Sequence, residues 1–254
     1  MKNNGNWDYF SKDSEYSDVL KNRLIDGVEM DSALAIAEYI KMGFKGDLDI
    51  VDFGGGPGHY YPVIKNAYTK GSIQYKSVDI DSDNINFGNS YFQDDINANF
   101  ELGSVLDPEK FIQKCNCVIS ANTLPHVPQI ETFLHAISRK LSIKFFIFRM
   151  LVGEECVQIK KHLKEDNFLS IFEDNFQHNN IYSLKYLQNL LGLDWNIEIK
   201  DDIFDLDRLK HHSIPAQEKN KFYSNRVSRS VDGMVFKGDI FMPWKFVIGT
   251  RINL

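Results

Sequence analysis

Apolar and polar positions along the chain switch between two periods, and the switches divide it into elements. From Asp18 to Met42 apolar residues recur near 3.6 spacing, at Val19, Leu20, Leu24, Ala33, Leu34, Ile36, Ala37, Tyr39 and Ile40. That pattern predicts helix, ended by Gly43 and Gly46. Asp49 to Phe53 is a short apolar run that enters glycine, with a helix predicted over His59 to Tyr68. Ile73 to Val78 predicts a second strand ending on Asp79, followed by a helix from about Asp83 to Phe92. Phe100 to Leu102 predicts a third strand, and Asp107-Pro108-Glu109 a helix start with a capping aspartate and proline just inside. Cys117 to Ser120 predicts a fourth strand, Ile130 to Leu141 a helix and Ile143 to Phe148 a fifth strand. The last two strands are nearly continuous apolar runs, as central parallel strands covered on both faces require. This alternation implies right-handed βαβ units and an α/β, doubly wound, mostly parallel sheet.

Beyond residue 151 the pattern changes. Residues 152–180 read as an extra, mostly helical segment before a sheet-covering helix over Ser183 to Leu191. Trp195 to Lys200 predicts a sixth strand and Asp239 to Arg251 a terminal strand or hairpin, with a polar stretch between them. The expected organisation is one domain over 1–254, with an N-terminal helical segment at 1–46 and a cofactor-binding half at 47–151. Insertions at 152–180 and 205–238 are placed where they could cap the same end of the sheet and build an acceptor pocket.

Composition narrows the function classes. A formal net charge of -6 argues against a general nucleic-acid binder, and the basic stretch from Lys219 to Arg229 reads as a solvated face. Cys115, Cys117 and Cys156 are too few for a disulfide framework and read as reduced thiols. No metal site is expected, because Cys-x-Cys lacks a second ligand pair and His211-His212 reads as exposed loop. No run of about 18 apolar residues occurs, so a cytoplasmic protein without a membrane span is expected.

The candidate chemistry is concentrated in VDFGGGPGHY, Val51 to Tyr60. In an open α/β sheet the turn after the first strand floors the ligand crevice, and Gly54, Gly55, Gly56 and Gly58 let the backbone bend and approach a ligand closely there. A dinucleotide fingerprint would need glycine at position 59, where this chain has His59. After the second strand, Asp79 offers two acceptor oxygens to a ribose diol, with Ile80 beside it for an adenine face.

Asp52 followed by G-x-G-x-G resembles the first motif of class I, Rossmann-like S-adenosylmethionine-dependent methyltransferases, and the resemblance extends from about Asp49 to Phe148. It implies that Asp52 positions the amino-acid end of the cofactor while the glycine backbone lies beside its adenosyl and methionyl parts. GSVLD, Gly103 to Asp107, departs from the family by having Ser104 after the glycine, so the adenine contact passes to the Ser104 hydroxyl or the Val105 backbone. SANTLPHVPQIETFLHAI, from Ser120, is similar to the fourth motif and brings Asn122 into the implied cofactor set. A narrower similarity, VDFGGGPGHYYP with Trp7, Tyr9 and Phe10 upstream, is to methyltransferases of bacterial surface-polysaccharide genes. It implies a small sugar or nucleotide-sugar acceptor.

Alcohol acceptors benefit from a general base, and His126, in the loop after the fourth strand, is the candidate. Arg149 could clamp a substrate carboxylate or phosphate, or instead pair with Glu154 or Glu155. His178, Tyr182 and His59 complete the reachable set, with Gln177 and Asn180 as further polar contacts and Phe168, Phe172, Phe176, Phe222 and Tyr223 as stacking aromatics. A nicotinamide enzyme and a cofactor-binding protein without turnover stand as alternatives.

Overall fold

The computed structural model describes residues 14–162, 176–202, 228–231, 234–237 and 240–252. Helices α1 (Ser14–Ile25) and α2 (Asp31–Gly43) precede β1 (Leu48–Phe53), α3 (Tyr61–Ala67), β2 (Ile73–Asp79), α4 (Ser82–Tyr91) and β3 (Ala98–Leu102). β4 (Cys117–Ala121), α5 (Glu131–Arg139) and β5 (Phe145–Gly153) complete the first half. Short strands β6 (Lys160–His162), β7 (Phe176–His178) and β8 (Tyr182–Ser183) follow, then α6 (Leu184–Leu191) and β9 (Trp195–Asp201). The described chain ends in β10 (Ser228–Val231), β11 (Met234–Lys237), β12 (Ile240–Met242) and β13 (Trp244–Arg251).

The main sheet runs β3-β2-β1-β4-β5-β13-β9. β1 pairs in parallel with both β2 and β4, while β13 enters antiparallel between β5 and β9. Strand order therefore reverses between β1 and β4, and the glycine turn leaves β1 at that switch point. Side chains alternate between two cores. Val51, Phe53, Val118, Phe146 and Phe148 face α5 and α6, whereas Ile50, Cys117, Ile119, Phe145 and Ile147 face α2 and α3. Burial on both faces is why β4 and β5 read as continuous apolar runs. Phe133, Leu134, Ala136 and Ile137 supply the buried stripe of α5.

The observed elements refine or depart from the expected ones at several points. The helical stretch of Asp18 to Met42 divides into α1 and α2 at Gly27, which takes a positive φ of 63° and turns the chain. Asp107-Pro108-Glu109 begins only a single 3-10 turn over Pro108–Lys110, without a side-chain cap from Asp107. The described ends of 152–180 are strands: β6 pairs antiparallel with β7, and residues 163–175, with Phe168 and Phe172, lie outside the described set. The described parts of 205–238 are strands β10 and β11, while His211, His212, Phe222 and Tyr223 lie outside it. β5 also continues to Gly153, past the expected end at Phe148. The cysteines are free thiols, with Cys115 and Cys117 buried and Cys156 exposed. Among the described residues no helix is long and apolar enough to cross a membrane.

Candidate active site at the strand-order switch

β2 anchors the glycine turn through three bonds. The Gly54 N–H donates to the Val78 carbonyl at 2.7 Å, and the Ser77 hydroxyl donates to the Gly56 carbonyl at 2.9 Å. The Gly56 N–H donates to Asp79 Oδ2 at 2.8 Å, which fixes that carboxylate against the turn. Gly54, Gly56 and Gly58 have φ of 75°, 54° and 83°, the left-handed region that glycine enters without strain. A Cβ on Gly54 would clash with Thr123 Oγ1, so the turn also lies tight against the loop after β4. From the other side, α1 closes on the turn: a Cβ on Gly56 would stand 3.1 Å from Leu20 Cδ1.

Asp52 lies beneath this turn. Its Oδ2 accepts from the Tyr75 hydroxyl at 2.7 Å, whereas its Oδ1 is buried with no hydrogen-bond partner. Burial raises its pKa to about 7, against the lowering effect of the Tyr75 bond. Asp79 Oδ1 accepts from the Asp81 N–H at 2.9 Å, and burial raises its pKa to about 6. The backbone of Ile80 also bonds to the Asp79 carboxylate, so the turn and the start of α4 hold it together. An orphaned Asp52 oxygen under the glycine turn and a second carboxylate after β2 fit the amino group and ribose diol of S-adenosylmethionine. Tyr75 and Ser77 were missed from sequence. Their signal was polar groups at alternate positions of β2, on the same face as Asp79.

The remaining candidates fall into two groups. Ile80 is half-buried beside Asp79, and Val105 is buried, while the Ser104 hydroxyl accepts from the Leu106 N–H at 3.1 Å. His59 is driven down to about 3 by burial and by the Arg23 charge, so it is neutral at physiological pH. Tyr182 is in the core, its hydroxyl accepting from the Asn180 amide at 3.1 Å, and its pKa is raised chiefly by burial.

After β4, Asn122 takes φ 65°, unusual for a residue with a Cβ, and its N–H donates to the Arg149 carbonyl at 3.0 Å. The Arg149 guanidinium donates to Asn122 Oδ1 and to Asp202, with Nε to Asp202 Oδ2 at 2.7 Å, and lies 4.4 Å from the Trp244 ring centre. Arg149 is therefore a buried ion-paired brace between β4, β5 and β9. Neither a solvent-facing clamp nor a pair with Glu154 or Glu155 describes it. His126 closes the 3-10 turn Leu124–His126, and its Nδ1 lies 2.7 Å from the His178 carbonyl. Nδ1 must donate there, which places the basic lone pair on Nε2. His178 is buried in β7, with a pKa lowered chiefly by burial. Among the described residues no group of three or more His, Cys, Asp or Glu could hold a metal ion.

A mostly parallel sheet with its order reversing at a glycine turn, an acid under the turn and a second acid after β2 fit the Rossmann-like methyltransferase class. A family model described as "Methyltransferase domain" matches residues 29–193, and the chain belongs to that family. The protein is a methyltransferase enzyme with S-adenosylmethionine as its cofactor, which selects methyl transfer over the nicotinamide alternative. No curated protein sequence is significantly similar to it. Among solved structures it resembles the Bacillus subtilis YcgJ protein at 14% identity and TM-score 0.52, covering 89% of this chain and all of the other. Geranyl diphosphate C-methyltransferase from Streptomyces coelicolor, in complex with Mg2+, geranyl diphosphate and S-adenosyl-L-homocysteine, matches at 16% identity and TM-score 0.53, over 86% and 77% of the two chains. Haemonchus contortus phosphoethanolamine N-methyltransferase 2, in complex with S-adenosyl-L-methionine, gives TM-score 0.61 at 14% identity, over 97% of this chain and 60% of that one. At these identities the likeness is one of fold.

Proposed function

We propose that this enzyme transfers a methyl group to a hydroxyl or amine of a small acceptor, a sugar or nucleotide-sugar of surface-glycan biosynthesis, with His126 as general base. The observation that supports the base assignment is the 2.7 Å contact of His126 Nδ1 with the His178 carbonyl, which makes Nδ1 the donor and holds the ring in the turn after β4. S-adenosylmethionine supplies an electrophilic methyl carbon on a sulfonium, so the protein's task is alignment and removal of one proton. Asp52 Oδ1 would accept from the amino group and Asp79 would hold the ribose, with the turn Gly54, Gly55, Gly56 and Gly58 beside the cofactor and Ile80, Ser104, Val105 and Asn122 toward its adenine and methionyl parts. His126 would take the acceptor proton as the acceptor–methyl bond forms and the methyl–sulfur bond breaks, its electron pair returning to sulfur.

The test is transfer of a labelled methyl group to free sugars and nucleotide-sugars by wild type and His126→Ala. The variant is expected to turn over about 100-fold more slowly, with affinity for S-adenosylhomocysteine unchanged. Near-normal turnover would remove His126 from the base role.

A further inference from the structure

Four consecutive residues leaving β7, Gln177, His178, Asn179 and Asn180, are polar and each no more than 4% exposed. Burying one such group without a partner is costly, and four in a row within a methyltransferase fold call for a reason. Backbone bonds fix where they lie. The Asn180 N–H donates to the Pro125 carbonyl at 2.8 Å, the His178 carbonyl meets His126, and the Asn179 N–H donates to the Ile159 carbonyl at 2.9 Å. The segment is therefore an extended strip with the His126 turn on one edge and the chain entering β6 on the other.

Along an extended strip side chains alternate in face. The Asn180 amide donates to the Val127 carbonyl at 2.9 Å and to the Tyr182 hydroxyl, so the face of His178 and Asn180 is turned to that core. Gln177 and Asn179 share the opposite face. There, Gln177 Nε2 and Asn179 Oδ1 are buried with no hydrogen-bond partner.

We propose that Gln177 and Asn179 are the specificity-determining residues of the acceptor pocket and that they recognise a polyhydroxylated acceptor. The inference rests on the methyl-transfer reading above and deepens it. The unbonded amide nitrogen is a donor and the unbonded amide oxygen an acceptor. A ligand completing both must accept at one atom and donate at a nearby one. A hydroxyl does both, whereas a primary ammonium only donates and a diphosphate only accepts. Neighbouring hydroxyls of a sugar ring satisfy the pair together.

Gln177→Met and Asn179→Leu remove these polar atoms at similar volume, and two measurements on the full chain test the proposal. In thermal unfolding without acceptor, both variants are expected to match or exceed wild type, because an unpaired buried polar group has been removed. A fall in Tm of about 4 °C or more would mean that the amides bond within the protein, and would overturn the proposal. In methyl transfer, free hexoses and nucleotide-sugars are compared with phosphoethanolamine and geranyl diphosphate. A sugar is the expected acceptor, with KM raised about tenfold or more in each variant, kcat changed less than about threefold and S-adenosylhomocysteine affinity unchanged. Wild-type KM in both variants, or transfer to no sugar while S-adenosylhomocysteine still binds, would overturn the inference alone. Failure of wild type to bind S-adenosylhomocysteine would instead remove the methyl-transfer reading.

Discussion

Two carboxylates under the glycine turn carry opposing demands on the folded protein. Asp52 is buried, with one oxygen bonded to Tyr75 and one orphaned, and its pKa of about 7 stands well above the ordinary 3.8. Between those values the unfolded chain has released a proton that the folded chain keeps, so folding takes up a proton. Asp52 therefore makes the free protein lose stability as pH rises through that window, by at most about 4 kcal/mol, with the loss complete above about 7. Asp52→Asn should flatten the pH dependence of Tm and raise Tm at alkaline pH; an unchanged slope would contradict this origin. If the ionised form meets the cofactor's amino group, S-adenosylhomocysteine should bind about tenfold more tightly well above pH 7 than at pH 6, as followed by calorimetry. Asp79→Ala should weaken the same ligand by about 1.5–3 kcal/mol, and an unaltered titration would assign the ribose to another residue. Both acids were legible because each ends, or nearly ends, a strand that enters a turn. Tyr75 and Ser77 were not, since a polar atom in an apolar strand gives no hint of its partner until the loop above it is placed.

Elements whose period matched a single environment were legible, and those shaped by distant partners were not. β4 and β5 announced themselves as continuous apolar runs because two cores cover them. The chain after Gly153 gave a helical pattern, yet β6, β7 and β8 depend on pairings with one another and with β5 that local period cannot encode. Arg149 shows the same limit within β5. Its position at a strand end suggested a substrate contact, but Asp202, which pairs with it from the end of β9, lies 53 residues away in sequence. Both side chains are 8% exposed, so removing one leaves a buried charge without its partner. Arg149→Leu is expected to destabilise the fold by about 3–5 kcal/mol, read as a lowered denaturant midpoint. A variant of wild-type stability with a raised acceptor KM would restore the clamp reading and contradict the brace.

At the scale of the whole molecule, topology brings separate stretches of sequence to one end of the sheet. The order reversal between β1 and β4 sets the Gly54 turn against Thr123, while α1 covers the turn from the opposite side through Leu20. Asp52 and Asp79 lie on the β2 side of the turn, and His126, backed by the strip from Gln177 to Asn180, lies beyond β4. This division was foreseeable from motif order, since the glycine turn, Asp79 and the loop after β4 follow one another as strands of a doubly wound sheet. The strip from Gln177 to Asn180 was less so, because it becomes meaningful only once burial is known. The central claim is that the turn accepts an S-adenosyl ligand and excludes a dinucleotide, with His59 standing where close helix packing on a pyrophosphate would need glycine. Calorimetric titration of wild-type protein with S-adenosylhomocysteine and, separately, with NAD tests this directly. The account predicts one saturable site for S-adenosylhomocysteine, tightening from pH 6 to pH 8, and no heat of binding with NAD. Saturable NAD binding, or no binding of S-adenosylhomocysteine at pH 8, would contradict it.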